Sequence, residues 1–281
     1  MSSRIGFGLG LFIAAGMLAF GDQLPMEPLH DSGQGVTGAF EGWFKNADGT
    51  FSILVGYFNR NLKEELDIPI GPNNRIEPGG PDRGQPTHFM PRRQWGVFVV
   101  KMPKDSPPTT RLTWTLTAHG KTNAIPIDLD PLWEISPFSE VGMNNTPPIV
   151  TVGDTSVQGP LGLGPILSAT VGTPLEINLV VGDDAKTFPN AKPPKIPPVL
   201  LTLSKFRGPG TVTFSKARPD VTKTEPSGAN APVFNGKATT TATFSEPGEY
   251  ELLVMANDWS GDGGRGFQCC WTTSHIKVAV K

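Results

Sequence analysis

The sequence predicts an all-β protein built as two tandem β-sandwiches. Three observations carry that expectation. Short stretches in which apolar and polar residues alternate recur along the chain, the period-2 signature of half-buried strands. Gly 33 and Pro 29 among 281 residues supply turn formers at close intervals. No stretch shows the apolar spacing of an ordinary amphipathic helix. The length allows about two domains. A hydrophobic share of 37% marks a loop-rich globular chain rather than a disordered one. With a net charge of −2 and no lysine-rich stripe, nucleic acid is not expected as a partner.

At the N-terminus, Arg4 precedes an apolar run over residues 5–20, with Ala19 and Gly21 flanking Phe20. That order reads as a secretory signal over 1–21, cleaved after Gly21. An uncleaved membrane anchor is the competing reading, against which the run is shorter than the roughly 20 residues that span a bilayer. Either way the chain is expected to be exported to the periplasm, the cell surface or the medium.

The first sandwich is expected over 36–130. Strands at 36–46 and 50–59 are joined by Ala47-Asp48-Gly49, a hairpin signal. In the second strand Phe51, Ile53, Val55 and Tyr57 share one face and Leu54 and Phe58 the other, so both faces carry apolar groups. A short strand follows at 65–70. Residues 71–94 show no periodicity, and structureless connections beyond about 12–15 residues are uncommon unless functional or mobile. Strands resume at 95–102, 111–118 and 122–127, the last two joined by a turn at 118–121. Residues 131–148 lose periodicity and end in Asn144-Asn-Thr-Pro-Pro148, which reads as a linker.

Seven strands are expected over 149–281, at 149–152, 175–181, 199–203, 211–214, 237–244, 250–257 and 274–281. Short strands separated by Gly/Pro turns point to an immunoglobulin-like sandwich. Tyr250, Leu252, Val254 and Ala256 alternate with Glu251, Leu253 and Met255, as in a strand with one face in a core. Pro247-Gly248, Tyr250, the Asp-rich loop after it and the alternating Ile276, Val278 and Val280 together resemble the end of PKD-type immunoglobulin-like domains of exported bacterial proteins. That resemblance covers the last part of the chain and implies a binding or spacer module more than an enzyme. The first half resembles uncharacterised exported bacterial proteins.

Asp258, Ser260 and Asp262 precede Gly263 at the spacing that opens a calcium loop, where a hard cation collects oxygens. The twelfth position is Cys269 rather than Glu, so an EF-hand is excluded and a plain turn is the alternative to Ca2+. Cys269 and Cys270 are the only cysteines. They can form a vicinal disulfide, bridge between molecules, or stay reduced in a core, and an oxidising compartment favours the first. Cys270 and His275 lack the second His and the Met of a copper site. The loop with Arg83, His88, Phe89, Met90, Arg92 and Arg93, followed by Trp95, mixes guanidinium and aromatic groups as interface cores do, and a loop packed on its own domain with Phe89 and Met90 as plugs is the alternative. Trp259 and Trp271 extend the set of expected contact residues. No G-x-S-x-G elbow or H-E-x-x-H helix is present, and no catalytic residue is assigned.

The expected function is a non-catalytic binding or structural role, through contacts with another protein or a cell-surface component. A calcium-assisted carbohydrate-binding module and a cryptic hydrolase are the alternatives. Membrane association is expected only through an uncleaved N-terminal segment.

Overall fold

The computed structural model describes residues 28–187, 190, 192–225, 231–261 and 269–281. The expected signal or anchor at 1–21 and Asp262 lie outside the described residues. The chain is all-β. Among the described residues the one helical element is a 3-10 turn at Pro131–Trp133, and no helix is long and apolar enough to cross a membrane.

The N-terminal half contains β1 (Val36–Lys45), β2 (Phe51–Asn59), β3 (Leu66–Asp67) and β4 (Asn74–Glu77). It continues with β5 (His88–Phe89), β6 (Arg92–Met102), β7 (Arg111–Ala118) and β8 (Lys121–Asp128). The sheets run β1-β2-β6 and β4-β7-β8, with β3 and β5 as a separate pair. The Asp48-Gly49 hairpin closes as expected, Asp48 accepting from the Thr50 backbone N–H at 3.0 Å and its hydroxyl at 2.6 Å. Trp114 centres the core between the sheets, edge-on to Phe98 at 5.3 Å. Gly38 of β1 permits this, because a Cβ there would lie 2.5 Å from the indole.

Residues 71–94 read as patternless, yet they hold β4 and β5. Buried Asn74 organises them by donating to the carbonyls of Ile68 and Pro86 and accepting from the Trp114 indole N–H at 3.0 Å. A polar side chain satisfied on all sides replaces the apolar alternation that would have announced a strand.

The C-terminal half contains β9 (Ile149–Val152), β10 (Thr155–Gln158), β11 (Ile166–Ala169), β12 (Leu175–Asp183) and β13 (Leu200–Arg207). After them come β14 (Val212–Phe214), β15 (Thr222–Lys223), β16 (Phe234–Phe244), β17 (Gly248–Asn257) and β18 (Trp271–Val280). One sheet runs β10-β9-β12-β16-β14 and the facing one β11-β18-β17-β13, with β11 parallel to β18. Taken in chain order, β9-β12-β16-β14 and β13-β17-β18 reproduce the A-B-E-D and C-F-G arrangement of an immunoglobulin-like sandwich. Tyr250 adds the tyrosine corner of that fold, its hydroxyl donating to the Glu246 carbonyl at 2.9 Å where β16 turns into β17.

The β13-β17-β18 sheet buries both faces, which the alternation of β17 did not indicate. Leu252, Val254, Ile276 and Val278 fill the C-terminal core. From the other face, Phe206 and Leu253 join the N-terminal core, while Trp271 packs with Phe44 and Leu54. Leu54 accounts for the second apolar face of β2. Gly96 of β6 lies against the Trp271 indole at a φ of +47°, where a Cβ would collide with the ring. Polar contacts frame this junction. His275 lies 2.6 Å from the Glu251 carboxylate and 3.0 Å from the Val97 carbonyl. Arg207 pairs bidentately with Asp82 at 2.8 and 3.0 Å.

Candidate functional site

The end of β12 and the residues Asp258–Gly261 that follow β17 lie at one end of the C-terminal sandwich, beside the chain leading into β9. Three acidic side chains gather there. Asp258 is buried, and its Oδ1 accepts from the Ser260 backbone N–H at 2.8 Å and the Ser260 hydroxyl at 2.5 Å. Its Oδ2 accepts from the Asn145 amide at 2.5 Å. Asp183 ends β12, buried, and accepts from the Ala185 N–H at 2.7 Å. Asp184 accepts from both the backbone N–H and the hydroxyl of Thr146 at 3.0 Å.

Burial raises the Asp258 carboxyl above its ordinary range, against the hydrogen bonds from Ser260 and Asn145. Burial also pushes Asp183 up to about 8, with the charges of Asp258 and Asp184 acting in the same direction. The Cys269–Cys270 disulfide closes the same end, with both sulfurs near the Asn145 carbonyl, at 3.8 and 3.3 Å. Asn145 therefore joins the acidic cluster through its side chain and the disulfide through its backbone.

Beside this cluster lies a groove of about 550 Å³, lined by Ile196, Pro197, Leu200, Arg218, Asp220 and Val221 among others. Trp259 stands next to it, half-buried, its indole N–H donating to the Ile196 carbonyl at 3.2 Å.

The expected contact loop is placed differently. Phe89, at 0% exposure, belongs to the N-terminal core, and His88 and Trp271 are buried too. The loop docks on β13 of the same chain, where the Thr87 N–H donates to the Phe206 carbonyl at 3.1 Å and Arg207 donates to the Gln85 carbonyl at 2.8 Å. His88 sits between Glu65 and Asp67, at 3.2 and 3.0 Å, and Lys205 reaches Asp67 at 2.9 Å. An arginine- and aromatic-rich loop meets the composition of an interface whether its partner is another protein or the far half of its own chain.

Met90, Arg92, Arg93 and Trp95 are half-buried. The Met90 N–H donates to the Tyr57 hydroxyl at 2.8 Å, and Arg92 lies over Phe58 at 5.4 Å. Arg93 stacks on Trp95 at 3.8 Å and pairs with buried Glu41 at 2.6 Å. Burial outweighs Arg93 and raises the Glu41 carboxyl to about 7. Arg83 folds back to donate to the Pro78 carbonyl at 2.9 Å.

Sequence reasoning missed Asn145, Asp183 and Asp184. The Asp183-Asp184 pair at the end of an alternating strand was the available signal, whereas Asn145 was hidden in a segment read as a linker. Among the described residues no three of His, Cys, Asp and Glu form a metal-sized group.

No family model and no curated protein matches the chain. Among solved structures it is similar to domains 4 and 5 of the S-layer protein SbsC, at 13% identity and a TM-score of 0.23, over 66% of this chain and 70% of that one. The D00-D0 domain of intimin aligns at 12% identity and a TM-score of 0.24, over 86% of this chain and 98% of that one. A family 123 glycoside hydrolase from Clostridium perfringens aligns at 12% identity and a TM-score of 0.24, over 48% of this chain and 27% of that one. Likeness at this level carries no argument about activity.

Proposed function

We propose that the chain is a non-catalytic, exported binding or structural protein whose external contact is made through residues 132–141 to another protein. The observation that carries this reading is a fixed apolar surface. Leu132 is 87% exposed, Trp133 56%, Phe138 39% and Val141 94%, all within ten residues. Concentrated apolar exposure of this kind marks an interaction site, where single exposed residues would not.

The segment is also held in place. Asp130 accepts from the Leu132 N–H at 2.9 Å, the Ile135 N–H donates to the Trp43 carbonyl at 2.9 Å, and Phe138 packs edge-on against Phe44 at 5.3 Å. Glu140 accepts from the Gly142 and Met143 N–H groups at 2.7 and 2.6 Å. A surface already ordered loses less conformational freedom on association. The residues first expected to meet a partner are largely occupied within the chain, which leaves this segment as the better contact.

The same proposal takes residues 36–130 and 149–281 as two tandem immunoglobulin-like sandwiches and places the protein in the periplasm or at the cell surface. The Cys269–Cys270 disulfide supports an oxidising compartment.

The test is purification from the native host followed by native mass measurement, with and without the triple substitution Leu132→Ser, Trp133→Ser and Val141→Ser. A protein complex that the substitutions dissolve, without lowering the unfolding temperature, is the expected result. A complex indifferent to them would refute the assignment of the surface. A sugar-dependent change in Trp133 fluorescence would favour the carbohydrate-binding alternative.

A further inference from the structure

Two buried oxygens at the loop end of the C-terminal sandwich have no hydrogen-bond partner among the described residues: Asp183 Oδ2 and Asn145 Oδ1. Their side chains are almost wholly enclosed, at 3% and 2% exposure. A carboxylate oxygen and an amide oxygen in such a setting normally accept at least one bond, since burying them unmet is costly.

Their positions relate to Asp258. Asn145 holds the Asp258 carboxylate through its amide nitrogen at 2.5 Å, so its oxygen, bonded to the same carbon, lies beside that carboxylate. Asp183 spends Oδ1 on the Ala185 N–H and leaves Oδ2 over. Asp184 adds a third carboxylate, tied to Thr146, the residue after Asn145. Among the described residues, the cation paired with this cluster is Lys186, which reaches Asp184 at 3.4 Å and neither buried carboxylate.

We propose that Asp183, Asn145 and Asp258 form a calcium site, with Asp183 Oδ2, Asn145 Oδ1 and the Asp258 carboxylate as protein ligands. All three are hard oxygen donors, with no nitrogen or sulfur among them, the chemistry that suits Ca2+ over zinc or copper. Water supplies the remaining positions of a shell of about six to eight oxygens. This site shares Asp258 with the loop spacing recognised in the sequence, but draws its other ligands from the end of β12 and the approach to β9. Those segments are distant in sequence, so no local motif announces them.

The experiment is thermal unfolding of the chain in EDTA and across a CaCl2 series near neutral pH, together with terbium luminescence excited through tryptophan, for which Trp259 is the chain neighbour of Asp258. Wild-type protein is expected to gain about 5–10 °C at a hundredfold excess over the dissociation constant. CaCl2 should also displace the terbium signal. Asp183→Asn preserves shape and the bond to Ala185, so it should stay folded in EDTA while losing both responses. Asn145→Ala should weaken calcium binding. An unfolding temperature indifferent to calcium overturns the proposal. So does a calcium response that survives Asp183→Asn, whether or not Asp262→Asn abolishes it.

Discussion

Replacing Phe206 by Ala tests whether the two halves fold as one cooperative structure. Phe206 belongs to β13 of the C-terminal sandwich, yet at 3% exposure its ring lies in the N-terminal core and against His275 at 4.4 Å. A buried phenyl ring removes roughly 150–250 Å² from water, which at about 25 cal/mol per Å² sets an upper bound of ~4–6 kcal/mol. Truncation of buried Phe to Ala commonly costs about 3–5 kcal/mol, and that range is expected here. For a chain of this size the loss corresponds to a fall of about 10 °C in unfolding temperature.

Urea unfolding followed by tryptophan fluorescence is the assay. The wild type should unfold in one transition. The variant should unfold at lower urea, with the halves separating into two transitions as the shared contact weakens. Leu253→Ala joins the same cluster, so the double variant should depart from additivity. A loss below about 1 kcal/mol with an unchanged single transition would refute the reasoning, since Phe206 would then not be carrying a buried contact between the halves.

Three further outcomes follow from the same structure. Tyr250→Phe removes only the hydroxyl that donates to the Glu246 carbonyl, and should cost about 1 kcal/mol in urea unfolding. Gly38→Ala drives a methyl group to 2.5 Å from the Trp114 ring and should cost about 1–3 kcal/mol by overpacking, visible as a lowered midpoint. His88 carries a pH dependence. Burial alone would lower its pKa, but hydrogen bonds from Asp67 and Glu65 and the charge of Asp67 outweigh burial and the charge of Lys205 and raise it above the ordinary histidine value. Its contribution is therefore fully present below the unfolded value and lost as pH rises through the raised folded value. Asp67 and Glu65 are lowered, so their contributions are present above the ordinary carboxylate range and fade as pH falls. Unfolding temperatures from about pH 5 to about pH 9 should thus fall as pH rises, with the raised carboxyls of Glu41 and Asp183 acting in the same direction, and His88→Gln should make the fall shallower without abolishing it.

Where local chemistry decided the backbone, the sequence was legible. The Asp48-Gly49 hairpin, the turn joining β7 to β8 and the strands Arg111–Ala118 and Ile149–Val152 stand where periodicity and turn residues put them. Residues 71–94 show the limit. Their order rests on Asn74, a single polar side chain that satisfies two distant carbonyls and an indole, and no spacing rule registers that. The contact loop around His88 and Phe89 was recognisable by composition, but composition is blind to which surface answers it.

By itself the sequence determined the all-β class, most of the strands, the tight turns and the isolation of Cys269 and Cys270, because each depends on near neighbours along the chain. Only the tertiary structure decided that the β13-β17-β18 sheet is covered on both faces, that Arg207 meets Asp82, and that Asn145 meets Asp258. Those outcomes join residues tens to more than a hundred positions apart. Alternation reports which side of a strand a residue occupies, whereas what covers that side depends on where the rest of the chain comes to lie.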